Sequence, residues 1–296
     1  MQPGQPSETA QYVAYLRALG NLAPQVPGFT DAVAERLLPS VWRRRVDRAR
    51  VRLARPCPFW PRQRPASPYS LWHRGIGLFN QFRSVELDRT LAAAAPFPQL
   101  VILGAGLDGR AWRLPGLASV RVFEVDHPDT QAWKRQQGAA LPAMARELRF
   151  VPVDFARDDL AQALRAAGHA SDQATFWLWE GVTPYLDADT VARTLAVTAA
   201  CSAPGSGLAV TYMATRNGRL PASFFTATLG EPCRSAYTPA TWAAAAARAG
   251  WSTGSDTGIA DWTRELLPPG QDLGAGSVGL QWCERIWVGR LAGISV

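Results

Sequence analysis

Val101-Ile102-Leu103-Gly104-Ala105-Gly106-Leu107-Asp108-Gly109-Arg110 passes from an apolar run straight into a turn punctuated by glycine. A short apolar run bounded by turn residues, Pro98 before it and Gly104 after it, predicts a buried strand, here Gln99 to Leu103. Glycines at a strand-to-helix turn let backbone pass close to a ligand, and in a parallel sheet such a turn lies at the carboxyl edge, where ligands bind. Gly109 completes a GxGxxG spacing, which by itself is a weak signal. Outward from this stretch the strand, turn and helix pattern repeats. Strands are expected at Val120 to Val125, Phe150 to Val153, Ala174 to Trp179 and Leu208 to Tyr212, with helices at Thr130 to Ala145, Asp158 to Ala167 and Asp189 to Cys201. An alanine-rich helix, Pro239 to Ala249, and strands near Gly250 to Thr257 and Gln281 to Leu291 follow. Apolar strands alternating with helices imply an α/β, Rossmann-like fold: a mostly parallel seven-stranded sheet with helices on both faces.

The N-terminal third reads differently. Tyr12, Val13, Leu16 and Leu19, then Val33, Leu37 and Leu38, recur at helical spacing on either side of Ala23-Pro24-Gln25-Val26-Pro27-Gly28, which predicts two helices and a turn. Five prolines between Pro56 and Pro68 exclude regular structure there and predict a surface loop or lid. A further helix is expected from Tyr69 to Ala95, loosened at Gly75 and Gly77. The expected organisation is one domain over 1–296, with a helical cap in 1–95 and the cofactor-binding core in 96–296.

Composition narrows the function. A chain of 296 residues that is 47% hydrophobic and 19% charged can bury a large core. No run reaches the roughly 20 apolar residues of a membrane span, and Met1 to Ala10 is polar, so a cytoplasmic protein with no membrane partner is expected. Cys57, Cys201, Cys233 and Cys283 show neither zinc-ligand nor disulfide-framework spacing, so no metal is expected. The net charge of +7 comes almost wholly from arginine, Lys134 being the single lysine. The run from Arg43 to Arg64 (Arg43, Arg44, Arg45, Arg48, Arg50, Arg52, Arg55, Arg62, Arg64) is read first as a solvated face and second as an attractor of anions or nucleic acid.

The next strand tips carry acids. Arg121-Val122-Phe123-Glu124-Val125-Asp126 ends about 20 residues after the glycine turn, where a carboxylate accepts hydrogen bonds from ribose hydroxyls. Val151-Pro152-Val153-Asp154-Phe155 offers an acid and a ring to an adenine, and Leu178-Trp179-Glu180-Gly181 places another acid at the fourth tip. Any one of these acids could simply cap the following helix. Together with Gly104 and Gly106 they outline a nucleoside-cofactor site.

The motifs Val101 to Asp108 with Arg110 and Arg113-Leu114, Phe123-Glu124-Val125-Asp126 with Pro128, and Glu180-Gly181-Val182 with Tyr185-Leu186 resemble the leucine carboxyl methyltransferase family, including its bacterial S-adenosylmethionine-dependent and polyketide O-methyltransferase branch. The resemblance implies a class I methyltransferase fold and S-adenosyl-L-methionine as cofactor. It also implies roles: Arg83 gripping the methionine carboxylate, Gly104 approaching the methionine moiety, Asp126 taking the ribose hydroxyls, Asp154 and Phe155 framing the adenine, and Glu180 beside the amino group. Thr9 and Arg17 are similar to the helix that closes over the cofactor, with Arg17 either a ligand contact or a surface ion pair. Ser84-Val85-Glu86 departs from the Thr and Arg often found after the Arg83 position.

The acceptor is expected to be a small molecule, acidic or aromatic, rather than nucleic acid. A carboxylate, with pKa about 4, needs no general base, whereas a phenol, near about 10, benefits from one. His169 is expected to be a solvent-facing helix cap and His127 to sit beside the ribose site, which leaves His73 as the fallback base. The candidate catalytic set is therefore His73, Tyr185 and Tyr212, within an aromatic wall of Phe59, Trp60, Tyr69, Trp72, Trp179, Phe224 and Phe225. O-methylation of a carboxylate leads; a phenol or hydroxyl O-methyltransferase, a nicotinamide-dependent oxidoreductase and a nucleic-acid methyltransferase are the alternatives.

Overall fold

Along β1 (Gln99–Leu103) successive side chains point to opposite faces of the sheet, and here both faces are buried. Leu100 and Ile102 join a core shared with the N-terminal helices, whereas Val101 and Leu103 join a second core on the other face. The computed structural model describes residues 6–54, 68–215, 232–269 and 284–291, except the side chains of 68–74.

Strand β1 pairs in parallel with β2 (Arg121–Asp126) and β4 (Thr175–Trp179). Beyond β2 lies β3 (Glu147–Pro152), and beyond β4 lies β5 (Gly207–Met213), both parallel. β7 (Glu284–Leu291) inserts antiparallel between β5 and β6 (Trp251–Gly258). The resulting order, β3-β2-β1-β4-β5-β7-β6, is the expected mostly parallel seven-stranded sheet.

The first face is covered by α1 (Glu8–Leu22), α2 (Ala34–Leu37), α4 (Pro68–Ala94), α6 (Pro128–Gly138) and, nearer the antiparallel edge, a helix that carries the buried Trp262. Between α2 and α4 runs α3 (Ser40–Ala54), and α5 (Arg110–Arg113) is a single turn after β1. The second face holds α7 (Leu160–Ala166), α8 (Ala188–Ala200) and α9 (Pro239–Arg248), while α10 (Ile259–Leu266) is the helix that brings Trp262. α4 runs unbroken through Gly75 and Gly77.

Three departures from expectation have local causes. α3 forms where only a charge run was read, because arginine is a good helix former even though Val46 is its one buried residue. Its Arg44, Arg45, Arg48, Arg50 and Arg52 are exposed, whereas Arg55, Arg62 and Arg64 of the same run, with the proline-rich segment 56–67, lie outside the described residues. α6 stops at Gly138 rather than Ala145, and β3 begins at Glu147 because an edge strand tolerates polar residues. His169 is buried rather than a solvent-facing cap: it packs between the rings of Phe123 and Trp177, and its Nε2 lies 3.0 Å from Thr175 Oγ1.

Burial, reinforced by nearby Arg121, pushes the His169 imidazole down to about 4. The unfolded chain takes up this proton near the ordinary histidine value of about 6.5, the folded chain only near 4. Stability is therefore predicted to fall as pH drops from about 6.5 towards 4, and His169→Gln should flatten that part of the curve. Urea midpoints measured from pH 7 to 4 check this; the same slope in both proteins would exclude His169 as its source.

Candidate functional site

The turn after β1 is shaped by its glycines. Gly104 has φ +64°, and a Cβ there would lie 2.3 Å from Val182 Cγ2; Gly106 has φ +47°, with a Cβ 3.1 Å from Ala10. Gly109 packs on Val33 and is followed only by the four residues of α5. A dinucleotide fingerprint needs a substantial helix whose N-terminus faces the pyrophosphate, and this turn has none.

A cavity of about 320 Å³ opens over the carboxyl ends of β1 to β4. Ser7, Thr9, Ala10, Val13 and Arg17 of the α1 segment wall one side, and Val182, Tyr185 and Leu186 after β4 wall another. Arg17, Arg83, Gly104, Gly106, Asp126, Asp154, Phe155, Glu180 and Tyr185, widely separated in sequence, all line it.

Asp126, at the tip of β2, accepts hydrogen bonds from the backbone N–H groups of Gly106 and of His127, the latter at 2.6 Å. Burial pushes its carboxyl up, and those two N–H groups oppose the shift. Asp126 therefore anchors the turn and does not cap a helix. Asp154 accepts from Ala156 N–H at 2.9 Å, a local turn contact, with Phe155 packed beside it on the second core.

Arg17 is buried, donates to Leu107 O at 2.7 Å and pairs with Asp31 at 3.2 Å, so its ion pair is internal rather than on the helix surface. On α4, Arg83 donates from Nε to Glu180 Oε1 at 2.9 Å, from Nη1 to both oxygens of Glu284 at 3.1 and 3.0 Å, and from Nη2 to Asn80 Oδ1 at 3.0 Å. Arg110 donates from Nε to Asp88 at 2.7 Å, and from Nη1 to Glu180 Oε2 at 2.7 Å and to Asp108. Burial alone would raise the Glu180 carboxyl, but Arg110 and Arg83 hold it below its usual range. The same holds for Asp108, where burial is outweighed by Arg110, Lys134 and Arg17. Both acids therefore face the cavity as carboxylates.

Tyr212 does not come to the cavity. It is buried on β5, stacks on Trp242 at 4.7 Å and donates to Asp256 Oδ2 at 2.7 Å, and burial followed by that bond raises its phenol well above the usual range. Its alternation along β5 points it into the second core, so it is a packing residue. Trp179 likewise lies in that core. The backbone of His73, Tyr69 and Trp72 lies in α4, but their side chains, like Phe59, Trp60, Phe224 and Phe225, fall outside the described residues. His127 lines the cavity and caps α6. Sequence reasoning missed Asp108 on the cavity wall, and Asn80 and Glu284 as the partners that hold Arg83. Asp108 stood in the quoted motif, whereas Glu284 is 201 positions from Arg83 and carried no local signal.

The family model of leucine carboxyl methyltransferase matches residues 10–199. A Mycobacterium avium strain 104 protein, provisionally named an S-adenosyl-L-methionine-dependent methyltransferase, is 45% identical over 122 residues, 40% of this chain and 38% of the relative. The match thus spans well under half of that relative's length. A provisionally named methyltransferase from Thermobifida fusca superposes with a TM-score of 0.58 at 19% identity, over 99% of this chain and 97% of that one. An O-methyltransferase family protein from Burkholderia thailandensis superposes at 0.52 and 15%, over 96% and 83%. At these identities the likeness is one of fold, that of class I methyltransferases.

The tight turn makes a testable demand. Gly104→Ala places a methyl group against Val182 in a left-handed conformation, and is expected to cost about 1–3 kcal/mol in urea unfolding. Gly116→Ala, where nothing lies within 4 Å and φ is not positive, should leave the midpoint unchanged. Equal midpoints for the two variants would show that the turn is not constrained.

Proposed function

Because the chain belongs to the leucine carboxyl methyltransferase family, we propose that it is an S-adenosylmethionine-dependent O-methyltransferase that acts on a carboxylate of a small metabolite. The observation that carries the cofactor assignment is the row of groups on one cavity: Gly104 and Gly106, then Asp126, Asp154 with Phe155, and Glu180 with Arg83 and Arg17. That donor set fits the cofactor. Asp126 has the chemistry to accept from the ribose hydroxyls, Asp154 and Phe155 to hold and stack the adenine, Glu180 to take the ammonium, and Arg17 with Arg83 to take the carboxylate.

When bound, S-adenosylmethionine supplies a methyl group on a sulfonium, ready for in-line displacement. The protein's own work is then to align and to exclude water. The α1 segment from Ser7 to Arg17 walls the cavity, and Val182, Tyr185 and Leu186 close its other side. A carboxylate acceptor is favoured because it arrives ionised, and of the histidines with described side chains only His127 is near the cavity. A phenol would instead draw on Tyr185 as a hydrogen-bonding wall residue or on His73.

A nicotinamide dinucleotide fits less well. At the glycine turn its pyrophosphate would meet Asp108, Asp126 and Glu180, and that turn is followed only by the single turn of α5. Calorimetric titration with S-adenosylmethionine and NAD in parallel tests the cofactor. Binding of the first and not the second is expected; binding of NAD alone would overturn the proposal.

A further inference from the structure

Lys134, the single lysine of the chain, is buried on α6. Its ammonium meets Glu124 of β2 at 2.6 Å and lies 5.5 Å from the ring of Trp112 on α5. One turn earlier on α6, Gln131 donates to the backbone oxygens of Glu124 at 2.6 Å and Val151 at 3.0 Å, which pins the helix across β2 and β3. Glu124 is fully buried, and neither its oxygens nor the ammonium have a hydrogen-bond partner beyond this pair among the described residues. A buried pair is weak support for stability, because apolar side chains of the same volume often serve as well. The consequence of this one falls on its neighbours.

Glu124 and Asp126 stand two positions apart on β2, so their side chains leave the same face of the sheet. Asp126 lines the cavity, whereas Lys134 and Glu124 do not. Around Asp126 are the N–H groups of Gly106 and His127, the His127–Asp129 pair of α6, Asp108 with Arg110 in the turn, Asp154 with Arg157 after β3, and the N-terminus of α1 at Ser7. Arg17, Arg83 and Glu180 line the same cavity. Arg157 stands in water and His127 half in it, where charge is screened, but Lys134 acts from inside the protein. Burial pushes the Asp126 carboxyl up, and the two N–H groups, then Lys134 and His127, oppose it. Lys134 also helps Arg110 hold Asp108 down. Burial pushes Glu124 up to about 7 against the pull of Lys134, with Asp108 and Asp126 adding to the rise. Below about pH 7 Glu124 therefore takes up a proton, and the ammonium is left to act on Asp126 and Asp108.

We propose that Lys134 is a positioning residue for the cofactor: from behind the cavity wall it keeps Asp126 a carboxylate, free to accept from Gly106 and His127 N–H and from ribose hydroxyls at once. This rests on the cofactor reading above. A bound nucleoside strips water from Asp126 and pushes its carboxyl further up, so a fixed cation behind it matters most when the cavity is filled. The same geometry accounts for a lysine in a chain that otherwise uses arginine. A guanidinium brings five N–H donors, and this site offers its cation one carboxylate.

The test compares wild type, Glu124→Gln, and Glu124→Gln combined with Lys134→Met. The two variants differ only in the ammonium, and the double variant strands no buried charge. Carbon-13 NMR of carboxyl-labelled aspartate, with the Asp126 signal assigned by its loss in Asp126→Asn, follows its proton uptake in the ligand-free protein. The double variant should take up that proton at a pH higher than Glu124→Gln by on the order of one unit, whereas Glu124→Gln should titrate no higher than wild type. Calorimetric titration with S-adenosylmethionine from pH 8 to 5 should follow the same order, the affinity of the double variant falling at the higher pH. A purely structural pair would change affinity alike at every pH and leave the Asp126 midpoint unmoved. The same midpoint in both variants, or one raised by Glu124→Gln alone, would overturn the inference. A raised midpoint with no matching loss of affinity would instead remove the ribose from Asp126 and overturn the cofactor reading.

Discussion

Arg110 is one guanidinium with three carboxylates around it. Through Asp88 it holds α4, through Asp108 the turn after β1, and through Glu180 the tip of β4. These elements are remote in sequence, and no backbone ladder joins α4 to the two strand tips. Burial pulls the Arg110 guanidinium down, but Asp108, Glu180 and Asp88 more than offset it, so it stays charged. Removing one partner of a buried pair costs about 3–5 kcal/mol because it strands the other charge. Arg110 thus makes the cavity wall cohere, and it does so from behind, leaving Asp108 and Glu180 turned towards the cavity.

That arrangement explains why the same sequence spacing that formally suits a dinucleotide suits a cation better. GxGxxG spacing favours phosphate when a full helix follows, because unpaired N–H groups and the helix dipole face the ligand. Here a single turn follows, and the loop carries an acid held ionised by its neighbours. The glycines still allow close approach, but the field they admit is negative. Charge, rather than the glycine motif, separates the two classes of cofactor.

The parallel core was legible because its strands are short apolar runs bounded by breakers, as in Gln99 to Leu103 and Thr175 to Trp179. Edge and cap elements were not, since β3 begins in polar residues and α3 is rich in arginine, and for both the deciding energy is tertiary. The site followed the same division. Asp126, Asp154 and Glu180 stand at strand tips, where topology alone brings them together, and they line one cavity. Tyr212 also stands near a strand end, but one step of alternation sends it into the core. Glu284 was invisible because its significance depends on β7 inserting antiparallel beside β5, which no local pattern encodes.

On this reading one cavity, over the carboxyl ends of β1 to β4, receives the cofactor with its cationic end at Glu180. The most direct measurement is a crystal structure with S-adenosylmethionine bound. Ribose hydroxyls are expected at Asp126, adenine beside Asp154 and Phe155, and the ammonium at Glu180, with Arg110 still holding Glu180 and Asp108. A cofactor lying reversed in this cavity, or bound elsewhere, would contradict it.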